Sequence, residues 1–255
     1  MIRMIASDID GTLLQGEKKQ LSARQMELIG ACLDKGILFV AASGRQYPNL
    51  KRLFAPLRRR IYYIAENGSV IARGNELLET RLFPGQLAGE LIAELSARED
   101  CATVISTVNS LFLTDTDRTL ADYLIYTMRN TVTVVEDLAA LDEDIINISA
   151  CTDAARVQAL CRELAPKWEA HFEVAPAGGG WLDFTLSNKG AAIRYLQQRA
   201  GISREETLVF GDNFNDLGMF ASAERSYAME GAALAVRESA TGCCASVESV
   251  LEALL

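Results

Sequence analysis

The sequence predicts an α/β protein with a doubly wound, mostly parallel sheet and an inserted α+β domain. Short apolar runs alternate with segments of helical period at both ends of the chain. This alternation stops at about residue 82 and resumes at about residue 185. We therefore expect residues 1–81 and 185–255 to form one discontinuous core domain, and residues 82–184 to form the inserted domain.

The composition is that of an ordinary globular protein. The chain has 255 residues, of which 49% are hydrophobic and 23% are charged, so it can bury one large core or two smaller ones. The formal net charge of −9 argues against a nucleic-acid partner, because clustered lysine and arginine bind phosphate backbones. We expect no contact with membranes either, since no run approaches the roughly 18 apolar residues of a membrane span.

The cysteines and the first residues predict a cytoplasmic protein. The six cysteines have neither CxxC spacing nor a metal-like spacing with the single histidine, His171. We expect them to be small buried residues in a reducing compartment. A predicted strand follows Met1 directly, without the charged and apolar regions of a signal peptide. The sequence leaves the oligomeric state open.

The first 80 residues have the pattern of parallel strands joined by helices. Ser22 is the expected N-cap of the first helix, and Gly36 is expected to end it. The elements predicted here are a strand at 2–6, a helix from 23 to 35, a strand at 37–42, a helix near 48–57, a strand at 61–65 and a hairpin at 70–78.

The pattern changes after residue 81 and then returns. The middle segment is predicted to contain helices at 87–95, 119–129 and 154–164, and strands at 102–106, 111–114, 145–150, 172–175 and 181–186. We expect these strands to form a separate antiparallel sheet. The α/β alternation then resumes with a helix at 189–200, a strand at 207–210, a helix near 216–221, a strand at 225–228 and a helix at 247–254.

Polar side chains follow the predicted ends of the parallel strands. They are Asp8 and Asp10, Ser43, Asp212, Asn215 and Asp216, and Lys189 opens the helix after the insertion. The carboxyl ends of parallel strands meet at one edge of a sheet, where ligands bind. Carboxylates in one pocket would repel one another unless a cation lay between them, and an all-oxygen donor set favours Mg²⁺. Lys189, Ser43 and backbone amides near Gly11 could then hold the oxygens of a phosphoryl group.

Four motifs at these positions resemble those of the haloacid dehalogenase superfamily. They are DIDGTLL at 8–14, SGR at 43–45, NKG at 188–190 and GDNFND at 211–216. The segments ENGS at 66–69 and YAMEGA at 227–232 are also similar to core segments of that superfamily. The resemblance implies a Rossmann-like core, and the inserted segment is similar to the type IIB cap of the Cof-type phosphatases.

The resemblance also implies a role for each position. Asp8 would be the nucleophile and form an aspartyl-phosphate, while Asp10 would protonate the leaving oxygen and then take a proton from water. The Mg²⁺ ligands would be Asp8, Asp212 and the backbone carbonyl of Asp10. The groups that bind phosphate or substrate would be Gly11, Ser43, Gly44, Arg45, Lys189 and Asn215, with Asp216 and Asn67 supporting the site.

Some of these positions have a second interpretation. Ser43, taken alone, is equally well explained as a helix N-cap. Arg45 and Asn67 are also typical of a surface arginine and a turn asparagine. For Asp10, the double role implied by the resemblance leads us to expect a partly buried side chain near other carboxylates, which favours its protonated form.

We predict an enzyme: a Mg²⁺-dependent phosphatase of small phosphomonoesters, such as sugar phosphates or related metabolites. Two alternatives remain open. A phosphomutase on the same scaffold would pass the phosphoryl group to a sugar, and a non-catalytic phospho-switch or metabolite-binding module would use only the acceptor aspartate. Asp10 favours hydrolysis, because a long-lived switch has little use for an acid and base that hydrolyses it. The sequence does not determine the substrate.

Overall fold

The computed structural model describes residues 1–177 and 179–255. Short 3₁₀ turns connect several elements, and a π-helical turn, Tyr123–Thr127, follows the fourth α-helix. The strands and α-helices are, in chain order, β1 (Met4–Asp8), α1 (Ala23–Asp34), β2 (Leu38–Ala42), α2 (Tyr47–Leu53), β3 (Tyr62–Ala65), β4 (Val70–Arg73), β5 (Glu76–Thr80), α3 (Gly85–Ser96), β6 (Ala102–Ser106), β7 (Leu111–Thr114), α4 (Arg118–Asp122), β8 (Val132–Val135), β9 (Asn147–Cys151), α5 (Val157–Trp168), β10 (Glu173–Gly178), β11 (Trp181–Thr185), α6 (Lys189–Ala200), β12 (Thr207–Gly211), α7 (Leu217–Ala221), β13 (Arg225–Met229), α8 (Leu234–Ser239), β14 (Gly242–Cys244) and α9 (Val247–Leu254).

The chain forms two compact units. The first unit contains residues 1–45, 50–79 and 188–255, and the second contains residues 46–49 and 80–187. The first unit is thus assembled from both ends of the chain, as expected when one domain is inserted into another.

The sheet of the first unit has the strand order β14-β13-β12-β1-β2-β3-β4-β5. Neighbouring strands from β14 to β3 pair in parallel, and β4 pairs with β3 in antiparallel orientation. Successive residues of a strand point to opposite faces. In β2, Val40 packs in a buried cluster with Ile193 of α6 and Met219 of α7, whereas the ring of Phe39 lies 6.3 Å from that of Phe54. Both faces are therefore covered, which confirms the predicted doubly wound α/β class.

The strand order places three predicted site segments side by side. The central strand β1 pairs with β12 on one side and with β2 on the other. Asp8 ends β1, Ser43 follows β2, and Asp212 follows β12. Because the three strands are parallel, these residues lie at the same carboxyl edge of the sheet.

The second unit contains a six-stranded sheet with the order β10-β11-β9-β6-β7-β8. Four of its pairings are antiparallel, but β7 and β8 are parallel. The prediction of an entirely antiparallel sheet was therefore wrong at this edge. Strand β8 was not predicted. The helical segment between β7 and β8 makes the crossover that a parallel pair needs. The short elements α8 and β14 were also not predicted.

The structure bears on two expectations: that the cysteines are buried and that the chain has no membrane span. Cys32 and Cys244 are buried, but Cys243 is exposed, so the expectation that the cysteines are all buried was wrong. Cys243 follows Gly242 in the short edge strand β14 and points away from Cys244, as successive strand residues do. Among the residues that the structure describes, no helix combines the length and the apolar character needed to cross a membrane.

Helices α6 and α7 approach each other closely at two glycines. A Cβ atom added to Gly190 would lie 2.3 Å from the backbone oxygen of Gly218. Gly190 is the second residue of α6 and directly follows Lys189. The absence of a side chain at Gly190 therefore lets the start of α6, with Lys189, sit against α7.

We expect Gly190→Ala to lower the free energy of unfolding by about 1–3 kcal/mol, because the added methyl group must push the two helices apart. Urea unfolding followed by circular dichroism would measure this. Gly30→Ala is the matched control: a Cβ at Gly30 of α1 meets no atom within 4 Å, and alanine is favoured over glycine within a helix. A loss of stability in both variants, or in neither, would contradict the steric explanation.

Two arginines surround Asp100 in the second unit. Arg98 Nε donates to Asp100 Oδ1 at 2.8 Å, and Arg156 Nη2 donates to Asp100 Oδ2 at 2.8 Å. Both guanidinium groups also pair with Glu163 of α5. The hydrogen bonds from Arg98 and then Arg156 hold the pKa of Asp100 well below its usual range. The network ties the residues before β6 to α5.

This pKa direction predicts a loss of stability in acid. A carboxylate with a lowered native pKa contributes stability above its unfolded pKa near 4, and the contribution disappears as the pH falls through the native value. Since a third of the Asp100 side chain is exposed, we expect Asp100→Asn to cost about 1 kcal/mol at pH 7 and less as the pH falls below 4. Asp122→Asn, an exposed site on α4, changes the net charge equally. Unfolding midpoints that respond identically in both variants would rule out the Asp100 network as the cause.

Candidate active site

A buried lysine joins two carboxylates at the edge of the first unit's sheet. Lys189 Nζ donates to Asp8 Oδ1 at 2.6 Å and to Asp216 Oδ1 at 2.7 Å. All three side chains are at least nine-tenths buried, and that of Lys189 is only 1% exposed. Lys189 begins α6, whose N-cap is Asn188, with its side chain accepting a hydrogen bond from the backbone N–H of Ala191. The helix start is therefore capped by Asn188, and the lysine side chain is available to the carboxylates.

Burial and charge shift the pKa values of these groups in defined directions. Burial raises the pKa of Asp8 well above its usual range, and the nearby Lys189 opposes this effect. For Lys189, burial alone would lower the pKa, but Asp216 and Asp8 outweigh it and raise the pKa above its usual value. Burial, followed by repulsion from Asp216, also raises the pKa of Asp212. The site thus contains more negative charge than one lysine neutralises.

Asp216 organises the turn after β12. Its Oδ1 accepts from Lys189, and its Oδ2 accepts from the backbone N–H groups of Asp212 and Asn213 at 2.9 and 3.1 Å. These donors occupy both carboxylate oxygens. Asp216 therefore holds the turn and the lysine in place.

Asp212 faces the turn after β1. Thr12 Oγ1 donates to Asp212 Oδ1 at 3.1 Å, and a Cβ atom added to Gly11 would lie 2.0 Å from Asp212 Oδ2. Gly11 also has a φ of +88°, a conformation that side chains rarely adopt. A glycine is therefore required at position 11 both for the backbone turn and for the approach of the Asp212 carboxylate. Thr12 was missed by the sequence analysis, although its hydroxyl in the opening motif was a usable signal.

Asp10 is paired with Arg45. Arg45 Nε donates to Asp10 Oδ2 at 2.8 Å, and a second guanidinium nitrogen donates to Asp10 Oδ1, so the pair is bidentate. The Asp10 side chain is 56% exposed. The expectation of a partly buried Asp10 beside other carboxylates was therefore wrong. Asp10 lies beyond the end of β1, and its exposed side chain faces the guanidinium group of Arg45. The side chain of Asp8 is instead buried against Lys189.

The remaining predicted residues form a polar group from three loops. Ser43 is buried and its Oγ accepts from the backbone N–H of Arg45 at 3.1 Å. Asn215 Nδ2 donates to Asn67 Oδ1 at 3.1 Å. The Asn67 side chain also lies against Gly44, where an added Cβ would be 3.2 Å from Asn67 Nδ2. Since α2 begins at Tyr47, Ser43 is not the N-cap of that helix.

Side-chain hydrogen bonds and close approaches group most of the predicted site residues into three sets. Asp8, Lys189, Asp216 and Asp212 form one network, which Thr12 extends. Asp10, Arg45 and Ser43 form a second, and Gly44, Asn67 and Asn215 form a third. A buried acidic set with one lysine, beside neutral and cationic donors, is suited to a cation and a phosphoryl group.

Comparison with known proteins decides the family. The model of the haloacid dehalogenase-like hydrolases matches residues 5–254. The chain belongs to this family. The predicted membership, the predicted class of phosphoric monoester hydrolase and the predicted fold are thereby confirmed.

Three relatives of this haloacid dehalogenase-like hydrolase illustrate the similarity. A 5-amino-6-(5-phospho-D-ribitylamino)uracil phosphatase of Escherichia coli is 27% identical over 92% of this chain and 88% of its own length. An HMP-PP phosphatase of Cronobacter sakazakii is 30% identical over 90% of this chain and 84% of its own. A crystal structure of a protein from Eubacterium rectale superposes with a TM-score of 0.90 and 31% identity, covering 100% of this chain and 99% of the other.

The donor set fits the divalent cation that hydrolases of this family generally use. One oxygen of each of Asp8, Asp212 and Asp216 lies within 4.8 Å of the other two. Asp8 Oδ2 is buried, and in the described part of the chain it has no hydrogen-bond partner. A buried carboxylate oxygen without a partner is costly unless a cation occupies the space beside it. Asp8 and Asp212 are therefore the side chains that would hold Mg²⁺, because Asp216 is committed to other donors.

We expect Lys189→Met to lower the free energy of unfolding of the metal-free protein by about 3–5 kcal/mol, because it leaves two buried carboxylates without their cation. Burial raises the pKa of Asp8, so without the lysine the stability should fall further as the pH rises above about 4, the unfolded pKa of a carboxyl group. The loss should thus be larger at pH 8 than at pH 5. Urea titrations in a chelator at both pH values would measure it.

Lys167→Met is the matched control for this experiment. Lys167 forms an ion pair with Glu94 but is 61% exposed, and exposed pairs contribute about 1 kcal/mol or less. Equal losses in the two variants, or a Lys189→Met loss that does not change with pH, would contradict the electrostatic account of the buried site.

Proposed function

We propose that this haloacid dehalogenase-like hydrolase is a Mg²⁺-dependent phosphatase of small phosphomonoesters that acts through an aspartyl-phosphate on Asp8. The observation that carries the proposal is the asymmetry of the Asp8 carboxylate. Its Oδ1 accepts from Lys189, while its buried Oδ2 has no partner among the described residues. A purely structural aspartate would be expected to satisfy both oxygens.

The residues around Asp8 would divide the work of phosphoryl transfer. Asp8, Asp212 and the backbone carbonyl of Asp10 would hold the cation, which when bound supplies positive charge that offsets repulsion between Asp8 and an incoming phosphate. Lys189 contributes a second positive charge beside Asp8. Neutral donors at Ser43, Asn215 and the backbone near Gly11 and Gly44 would bind the phosphoryl oxygens.

Two steps follow from this arrangement. In the first, an Asp8 oxygen bonds to phosphorus, the ester P–O bond breaks, and Asp10 gives its proton to the leaving oxygen. In the second, water attacks phosphorus, its proton passes to Asp10, and the Asp8–phosphate bond breaks to release inorganic phosphate. The exposed Asp10 carboxylate is accessible to a leaving group. Both of its oxygens accept N–H bonds from Arg45, so for the first step one oxygen has to leave the guanidinium group and carry a proton. The other oxygen can keep its bond to Arg45 and hold the orientation of the carboxyl group.

We also propose that the inserted segment, residues 82–184, acts as a cap domain. Its support is the family membership together with the relatives, whose matches extend over about nine-tenths of this chain. The names of those relatives include a phosphorylated ribityl compound and the compound HMP-PP. Small phosphorylated metabolites such as sugar phosphates are therefore the first substrates to test. Because we propose a cytoplasmic protein, the assay buffer should contain a reducing agent.

We expect the purified protein to release inorganic phosphate from members of a phosphomonoester panel in Mg²⁺ and to lose this activity in EDTA. Asp8→Asn should reduce turnover by at least about a thousandfold, because the nucleophile is removed. Phosphate release is measured colorimetrically, and the phosphoenzyme by acid quench and mass spectrometry of the wild type.

The control is Asp34→Asn, the same chemical change at a surface aspartate paired with Arg60, which should keep wild-type turnover. Product analysis separates the two enzyme alternatives, since a phosphomutase would yield an isomerised sugar phosphate in place of inorganic phosphate. No phosphate release from any substrate, or full activity in Asp8→Asn, would overturn the proposal.

A further inference from the structure

Two consecutive residues in the loop after β3 adopt a left-handed backbone conformation. Glu66 has a φ of +48° and Asn67 a φ of +52°. Residues other than glycine rarely enter this region, although asparagine does so more readily than most. The surroundings hold the segment in place: Glu66 N donates to Arg45 O, and Asn67 N donates to Ser43 O, each at 3.1 Å. Such local strain near a polar cluster calls for a functional explanation.

Asn67 forms a hydrogen bond with a residue that follows a strand three positions away in the sheet. Asn67 follows β3 and Asn215 follows β12, and the sheet order places β2 and β1 between these two strands. At a spacing of about 4.8 Å per strand, three steps correspond to about 14 Å. Nevertheless, Asn215 Nδ2 donates to Asn67 Oδ1 at 3.1 Å. The two loops must therefore bend toward each other over the ends of β2 and β1, where Ser43 and Asp8 lie.

Asn67 also contacts the loop after β2 through its side chain. An added Cβ at Gly44 would lie 3.2 Å from Asn67 Nδ2 and 3.3 Å from its Oδ1. One amide thus contacts the loop that carries Ser43 on one side and the turn that carries Asn215 on the other. The left-handed backbone places that amide between them.

We propose that Asn67 is a positioning residue that sets the separation between Ser43 and Asn215, the two neutral donors assigned above to the phosphoryl oxygens. This inference rests on the proposed function for the identity of the ligand. Asn67 acts through the other two residues, since its amide contacts Asn215 and the Ser43 loop. Loss of the amide would leave Asp8 and Lys189 in place but would lower the affinity of the site for phosphate.

The test compares two variants that remove the amide with opposite effects on the backbone. Asn67→Gly relieves the left-handed strain, so it should keep or raise the thermal midpoint, and Asn67→Ala retains the strain and should lower it. In both, KM for p-nitrophenyl phosphate should rise about tenfold, the effect of one net hydrogen bond, while kcat stays within about twofold. A merely structural asparagine would give a KM that follows stability, with Asn67→Gly close to wild type.

Two further variants control the comparison. Arg129→Gly relieves strain at an exposed residue with a φ of +57°, and it should leave KM unchanged. Asn215→Ala should itself raise KM. In that background, adding Asn67→Gly should raise KM by clearly less than it does in the wild type, because the bridge to Asn215 is already broken and only the contact with the Ser43 loop remains to be lost. Additive effects of the two substitutions would overturn the proposed route through Asn215.

Calorimetric titration with inorganic phosphate in Mg²⁺ separates this inference from the proposed function. We expect both Asn67 variants to bind phosphate about tenfold more weakly than the wild type. If the wild type lacks turnover but binds phosphate, the proposed function is wrong, and the binding of the variants still decides the role of Asn67. Equal phosphate affinity in wild type and Asn67→Gly, or no binding by the wild type, would overturn the inference.

Discussion

The core of the first unit depends on the ion pairs that Lys189 forms with Asp8 and Asp216. Lys189 lies 181 positions from Asp8 in the chain and contacts it at 2.6 Å. Two buried carboxylates that stay charged without a cation are costly, so the docking of α6 stabilises the end of β1 and the turn after β12. The close packing of Gly190 against Gly218 brings the start of α6, with Lys189, close to the carboxylates. One electrostatic requirement thus connects the two halves of a discontinuous domain.

The two points that flank the insertion are close together in the first unit, which explains how the chain accommodates about a hundred inserted residues. The Tyr195 hydroxyl of α6 donates to the backbone oxygen of Leu78 in β5 at 2.9 Å, so the strand before the insertion lies beside the helix after it. An insertion between neighbouring points adds little loop-closure entropy to the host domain. The second unit has its own buried apolar cluster, which includes Leu91, Leu160 and Phe184, and can satisfy its hydrophobic residues without the first.

The sequence was informative where local pattern determines structure. Apolar runs identified β1, β2 and β12, and parallel pairing then predicted which strand ends meet. It was uninformative where contacts depend on loops from distant parts of the chain. The Asp10–Arg45 pair and the Asn67–Asn215 bridge require two loop conformations at once, and neither has a local signal. The edge strand β8 was missed because two of its four residues are exposed and two are half-buried, so the strand lacks a clear alternation between buried and exposed positions.

The charges of the site give a physical reason to expect dependence on a metal ion. Three carboxylates, Asp8, Asp212 and Asp216, and the single ammonium of Lys189 leave two negative charges, and Asp10 and Arg45 cancel each other. A phosphate dianion would therefore meet net repulsion in a largely buried site, where screening by water is weak. One divalent cation balances the two charges, and the uncharged donors at Ser43 and Asn215 can then bind the dianion. A divalent cation held by Asp8 and Asp212 would offset this repulsion, so the geometry that we attribute to Asn67 would bind phosphate best in the metal-loaded site.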